Sequence, residues 1–319
     1  MKKTINRTHV SGLLYEHDLQ LRTTGPNSKK PGTTFIMGTV SILTDPEGAA
    51  TNVVPVHFTY VTETTASGAA NNTFKILNDI IGGKYMSVTE NGADKASKFR
   101  IDSAIGLNEF FSNRNGQEEL VSAKRNEGGF IHASNDLEED VNTRNTFEVD
   151  MLITSVIRQE ENPERNIPER VVIKGAIFDF RNALLPTEFI ATNPNAMDYF
   201  ENLGASTKEP VFTRVRGRQI SSTTVRKIEE ESAFGETYVR EVQNTRREWV
   251  VTWAQGEPYL FDDESTITVK ELTDAMAQRE ITVAGIKQRQ DEYNASRANA
   301  AAKPAAAANT MAKVGDFNF

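Results

Sequence analysis

Hydrophobic residues recur mainly at every second position along this chain. Over residues 5–24, Leu13, Tyr15, Leu19 and Leu21 fall in one parity and Gly12 in the other; over 35–45, Ile36, Val40 and Ile42 share a face around Gly38. A period of two predicts strands, and a glycine inside a strand predicts a bulge or sharp bend. A third strand is predicted over 53–62, with Pro55 placing it at an edge or at the strand's beginning. Helical spacing first appears at 72–81, where Phe74, Leu77 and Ile81 line up and Gly82-Gly83 supplies the stop. Alternation resumes over 99–105 and 120–131, so the order is β-β-β-α-β-β.

The same grammar then repeats. Strands are predicted over 147–159, 170–180 and 184–191, a helix over 195–203 between Asn193-Pro194 and Gly204, and two more strands over 211–228 and 238–253. Phe35 to Val40 matches Val172 to Ile177 in pattern, with Gly38 and Gly175 in step. This reads as an internal duplication of roughly 110 to 140 residues, the size of a domain rather than of a solenoid repeat. Beyond Pro258, Leu272, Met276, Ile281 and Ile286 predict one or two amphipathic helices, with Gly285 as the interruption. From Ala298 the chain becomes an Ala/Pro-rich stretch too poor in apolar surface to fold, and it ends on Phe317 and Phe319. The expected bounds are 1–142 and 143–258 for the two β units, 259–297 for the helical segment and 298–319 for a disordered tail.

Composition narrows the function. A chain of 319 residues suits two domains, and 38% hydrophobic content with a mean hydropathy of −0.48 is low for a compact enzyme. Cysteine is absent, which excludes disulfides, a thiolate nucleophile and Cys-ligated metal, and fits a reducing cytoplasm. Lys2 and Lys3 have no apolar run behind them and no later window reaches the length of a membrane span, so no membrane association is expected. His9, His17, His57 and His132 lack metal-ligand spacing, and neither a phosphate-binding GxxxxGK[ST] loop nor a GxSxG elbow occurs. No active site, metal or cofactor is read, and a non-enzymatic protein is expected.

Net charge −8 and a pI near 5.3 argue in bulk against a polyanionic partner. The charges are segregated, however: acids cluster at 136–140, 160–164, 229–231 and 262–264, while Lys2, Lys3, Arg7, Arg22, Lys29 and Lys30 dominate the opening segment. Residues 211–228, VFTRVRGRQISSTTVRKI, carry Arg214, Arg216, Arg218, Arg226 and Lys227 and no acid. On a strand, Phe212, Arg214, Arg216, Arg218 and Ile220 share one face, a row suited to a single nucleic-acid strand because guanidinium pairs with phosphate or stacks on a base. The competing reading is an ordinary solvated strand face. Stacking candidates are Phe178 and Phe180, which share a face with Lys174, and Trp249 and Trp253, which share one with Arg247; Phe35, Tyr60 and Phe110 are the weaker choices in the first unit. Each of these rings equally suits a barrel core. The corresponding basic residues of the first unit are Lys98, Arg100, Lys124 and Arg125.

Five strands with a helix between the third and fourth is the order of the OB-fold. With the two β-β-β-α-β-β units, the VFTRVRGRQIS strand after the second helix and the Ala/Pro tail ending in GDFNF, the chain resembles single-stranded DNA-binding proteins of the bacterial or bacteriophage type. The resemblance implies a mainly β chain of tandem OB-fold barrels that coats single-stranded DNA during phage replication or recombination. It further implies recruitment of replication or recombination proteins through the tip, Asp316, Phe317 and Phe319, a host-cytoplasmic location and a possible homo-oligomer. The tail departs from the family pattern, since Asp316 and the terminal carboxylate are its only negative groups. The alternative is a structural or assembly protein of a virus particle.

Overall fold

A computed structural model describes residues 4–47, 52–114, 116–163, 167–231, 237–261 and 267–302. The fold is mainly β. Strands β1 (Asn6–His17), β2 (Gln20–Thr23), β3 (Thr34–Leu43) and β4 (Val53–Thr62) lead into helix α1 (Asn72–Ile81) and the one-turn α2 (Val88–Asn91). Two long strands follow, β5 (Lys98–Arg114) and β6 (Gln117–Ser134). The second half comprises β7 (Asn145–Gln159), β8 (Arg170–Phe178), β9 (Leu184–Ala191), α3 (Pro194–Asn202), β10 (Val211–Glu231) and β11 (Thr237–Ala254), and α4 (Val269–Ala302) ends the described chain.

Each half closes on itself. In the first, β1 pairs antiparallel with β3 and β5, β3 with β4, β4 runs parallel to β6, and β6 neighbours β5. In the second, β7 pairs antiparallel with β8 and β10, β8 with β9, β9 runs parallel to β11, and β11 pairs with β10. Both are the ring order of the OB-fold, reached because the helix separates the third strand from the fourth and lets the fifth return beside the third. The rings are joined by antiparallel pairing of β1 with β7, from Asn6 opposite Val149 to Val10 opposite Asn145.

The alternating apolar positions fill the two interiors. Val10, Leu14, Ile36, Val40, Val56, Phe58, Phe99 and Ile101 form the first core, closed by Ile76, Leu77 and Ile80 of α1. Phe147, Val149, Met151, Ile153, Ile173, Ile177, Phe189 and Val215 form the second, closed by Met197 and Phe200 of α3. The helix ends follow the capping signals. Asn71 accepts from the Thr73 amide and Asn193 from the Asn195 amide, with Pro194 in the first turn, while Gly83 and Gly204 take positive φ beyond the C-termini.

Four features depart from the sequence pattern. The long first strand breaks at Asp18-Leu19, where Leu19 turns into the core, and β2 continues on the far side. Gly38 and Gly175 are not equivalent. Aligned by the bulges in β1 after Leu14 and in β7 after Ile153, Gly175 corresponds to Ile42. Gly175 is required by close approach, since a Cβ there would lie 1.8 Å from the Leu152 carbonyl oxygen, whereas Gly38 is required by its φ of 133°. The third departure is that α4 runs unbroken through Gly285, as good helix formers on either side outweigh one glycine. The fourth is a small cluster outside the second barrel, where Leu152, Phe178 and Phe212 pack against Ile267, Leu272 and Ala275, with Tyr259 and Phe261 alongside.

By its contacts the chain packs as two units, the first holding both rings and residues up to Ala275, the second holding residues 108–123 and α4 from Met276. Within the second unit, Arg279 pairs with Glu109, the Phe111 amide donates to Gln290 at 2.8 Å, and Lys287 pairs with Glu118 over the Phe111 ring. Among the described residues no helix is long and apolar enough to cross a membrane.

Candidate nucleic-acid interface

Pairing of β1 with both β5 and β7, and of β7 with β10, makes one continuous sheet across the two rings. Side chains of one parity on these strands share a face. Arg7 on β1 and Arg216 on β10 both stand opposite Glu148 on β7, and His9 on β1 and Arg218 on β10 both stand opposite Thr146. His9 is also opposite Asp102 on β5, and Ser11 opposite Arg100. The face lines a groove of about 1150 Å³ that includes Arg7, His9, Arg100, Asp102, Glu148, Arg216 and Arg218, with Phe130 from β6 and Trp253 from β11 among its walls.

The electrostatics differ from those of an unopposed basic stripe. Arg214 donates from Nε to Asp150 at 2.8 Å, and Arg216 from Nε to Glu148 at 2.8 Å. Arg7 donates from Nε to the other oxygen of Glu148 at 2.7 Å. The carboxylates lie buried beneath the arginines, with Glu148 only 6% exposed, whereas the side chains of Arg7 and Arg216 remain 69% and 52% exposed. Burial by itself would raise the Glu148 carboxyl, but hydrogen bonds from Arg7 and Arg216 outweigh it and hold the group below the usual carboxylate range. Asp150 acts likewise on Arg214, whose guanidinium is held charged above its ordinary value by that hydrogen bond. Arg100 pairs with Asp102 at 3.3 Å, and His9 lies between Asp102 at 2.7 Å and Glu138 at 3.2 Å. Arg218 donates to Asn142. Four arginines thus face Asp102 and Glu148 in the groove, which leaves its lining cationic in a chain that is acidic overall.

Two rings complete the lining. Trp253 is 44% exposed and carries the Arg216 guanidinium 4.5 Å from its ring centroid, and Phe130 is 68% exposed. A shift in the β10–β11 register between Arg216 and Gly217 explains why Trp253 faces out: Trp253 pairs with Arg216 and Val251 with Gly217, so Thr252 is an extra residue. Trp249 and Trp253 therefore do not share a face. Trp249 packs inward against Phe147 and Phe189.

The remaining residues singled out from the sequence are dispersed. Phe178 and Phe212 are buried in the cluster covered by Ile267, Leu272 and Tyr259, so neither has a face open to a base. Phe180 is 75% exposed with Arg181 over its ring, outside the groove lining. Lys174 is exposed and stands opposite Glu188 in a separate hollow on the second barrel. Arg125 and Arg247 line another hollow, with Arg125 paired to Glu127 at 2.9 Å. Lys124 lies 4.3 Å from the Phe189 ring centroid and donates to the Glu188 carbonyl; burial pushes its ammonium down to about 7. Lys98 donates to the Asn135 carbonyl at 3.0 Å. Arg226 and Lys227 lie farther along β10, opposite Val242 and Glu241. Asp316, Phe317 and Phe319 lie outside the described residues. Arg100, Arg216 and Arg218 are the named basic residues brought together in the groove, and Trp253 joins them.

Sequence reasoning did not single out Arg7 or Phe130 for the site, nor the two buried acids. The signal for the acids was legible in FEVDM, where Glu148 and Asp150 alternate with the core residues Phe147, Val149 and Met151. Acids with that parity on a strand so apolar need a cationic partner nearby.

A family model, YorF, matches residues 4–296. The chain belongs to the YorF family. The matched span of this YorF-family member covers both rings and most of α4. Comparison with curated proteins gives no match. Among solved structures, a deletion variant of the single-stranded DNA binding protein from Thermus aquaticus is similar to 83% of this chain over 100% of its own length, at 10% identity and a TM-score of 0.45. The wild-type protein of the same organism covers 83% of this chain and 98% of its own, at 11% identity and a TM-score of 0.42.

Proposed function

We propose that this chain binds and coats single-stranded DNA without strong sequence preference, as a non-enzymatic protein of DNA replication or recombination. The observation that carries the reading is the groove: the exposed guanidiniums of Arg7, Arg100 and Arg216, with the half-buried Arg218, beside the open rings of Trp253 and Phe130, on a sheet shared by two OB-fold rings. Guanidiniums with free edges suit phosphates, and exposed rings suit bases whatever their identity, because every base has a stacking face. In this reading residues 1–142 and 143–258 supply one barrel each, and residues 298–319 carry Asp316, Phe317 and Phe319 as a recruiting tip for replication or recombination proteins in a phage-infected cell.

Trp253→Ala tests the stacking half. It is expected to weaken binding of a thymidine homopolymer by roughly 1 to 3 kcal/mol with little change in salt dependence, since the ring itself releases no counterion and Arg216 stays bonded to Glu148. Affinity equal to that of the wild type would remove Trp253 from the site.

A further inference from the structure

We infer that Glu148 is a positioning residue, a buried carboxylate that holds Arg7 of the first ring and Arg216 of the second in one phosphate-binding row. The inference rests on the single-strand reading and assigns a role to an acid that simple charge complementarity counts against binding.

The arrangement is set by register. Glu148 sits on β7 with Arg7 directly opposite on β1 and Arg216 directly opposite on β10. Its two oxygens divide the work, one accepting from Arg216 Nε at 2.8 Å and the other from Arg7 Nε at 2.7 Å. Both bonds use the inner edge of a guanidinium whose side chain stays more than half exposed. A buried carboxylate requires such partners, and a long arginine side chain loses rotamer freedom on binding unless it is already held. The Arg216 plane is held a second time by the Trp253 ring at 4.5 Å. Glu148 therefore exchanges one negative charge in the groove for two oriented guanidiniums, and it makes one site of residues that belong to different rings.

The role has a signature that charge alone does not give. Glu148→Gln removes one negative charge from the groove. If the acid acted only through its charge, the variant would bind single strands more tightly with a steeper salt dependence. As a positioning residue it gives the opposite sign: about tenfold weaker binding to a thymidine homopolymer, from loss of order in two rotamer-rich side chains, and a shallower slope of log K against log salt. The full chain is used, and thermal unfolding confirms that the variant is folded. The double variant Arg7→Lys, Arg216→Lys keeps every charge and removes the planar fork that bonds the acid while facing the groove, so it is expected to show the same loss, and it serves if Glu148→Gln does not fold. Unchanged or tighter binding by the Gln variant, or wild-type affinity in the double Lys variant, would overturn the assignment. Wild-type protein that fails to bind at all would instead count against the single-strand reading.

Discussion

Replacing Arg7, Arg100, Arg216 and Arg218 together by alanine will flatten the slope of log K against log salt for single-stranded DNA by about 3 units, at roughly 0.7 per phosphate contact on a single strand. The four side chains line one groove and belong to neither hydrophobic core. Loss of Arg7 and Arg216 also strips the buried Glu148 of both its partners and lowers stability, so the titrations are made where thermal unfolding shows the variant to be folded. Arg214 is omitted because its guanidinium is held by Asp150 away from the groove lining, beside Tyr259. Salt titrations of the quadruple variant against wild type check this. An unchanged slope would make the four arginines ordinary surface charge.

Phe178→Ala is expected to lower folding stability by roughly 3 to 5 kcal/mol, the cost of emptying a fully buried aromatic site. Phe178 makes an edge contact with Phe212 at 6.2 Å between centroids and is covered by Ile267 and Leu272. Phe180→Ala, two residues on, is expected to change stability by less than about 0.5 kcal/mol, because the ring is solvent-facing. Denaturant unfolding of the two variants side by side separates them. A Phe178 variant that unfolds like wild type yet binds DNA poorly would return that ring to the site.

These two rings illustrate what the sequence could carry. Strand periodicity placed both on one face of a strand over 170–180, but β8 ends at Phe178 and Phe180 lies in the turn beyond it, while the segment that carries Tyr259, Ile267 and Leu272 packs over Phe178. The same segment buries Phe212 at the head of the basic row. Where elements rest on local signals, the reading was close: α1 spans 72–81, and β9 spans 184–191. The parity of β10 was legible too, with Thr213, Val215, Gly217 and Gln219 buried as expected. Which cations the acids of FEVDM would meet was not, because Asp150 and Glu148 are 64 and 68 residues from Arg214 and Arg216 and become neighbours only when β7 closes against β10. The split between Trp249 and Trp253 depends on one extra residue, Thr252, which no hydrophobic pattern announces. Arg7 enters the groove through the pairing of β1 with β7, a contact between rings that neither half specifies alone.

The most direct measurement is equilibrium binding of the wild-type chain to a single-stranded thymidine homopolymer and to duplex DNA of the same length at two salt concentrations. Preferential single-strand binding is expected, with log K falling against log salt at a slope of about −3 or steeper, as four groove arginines require. No detectable single-strand binding at low salt would contradict it.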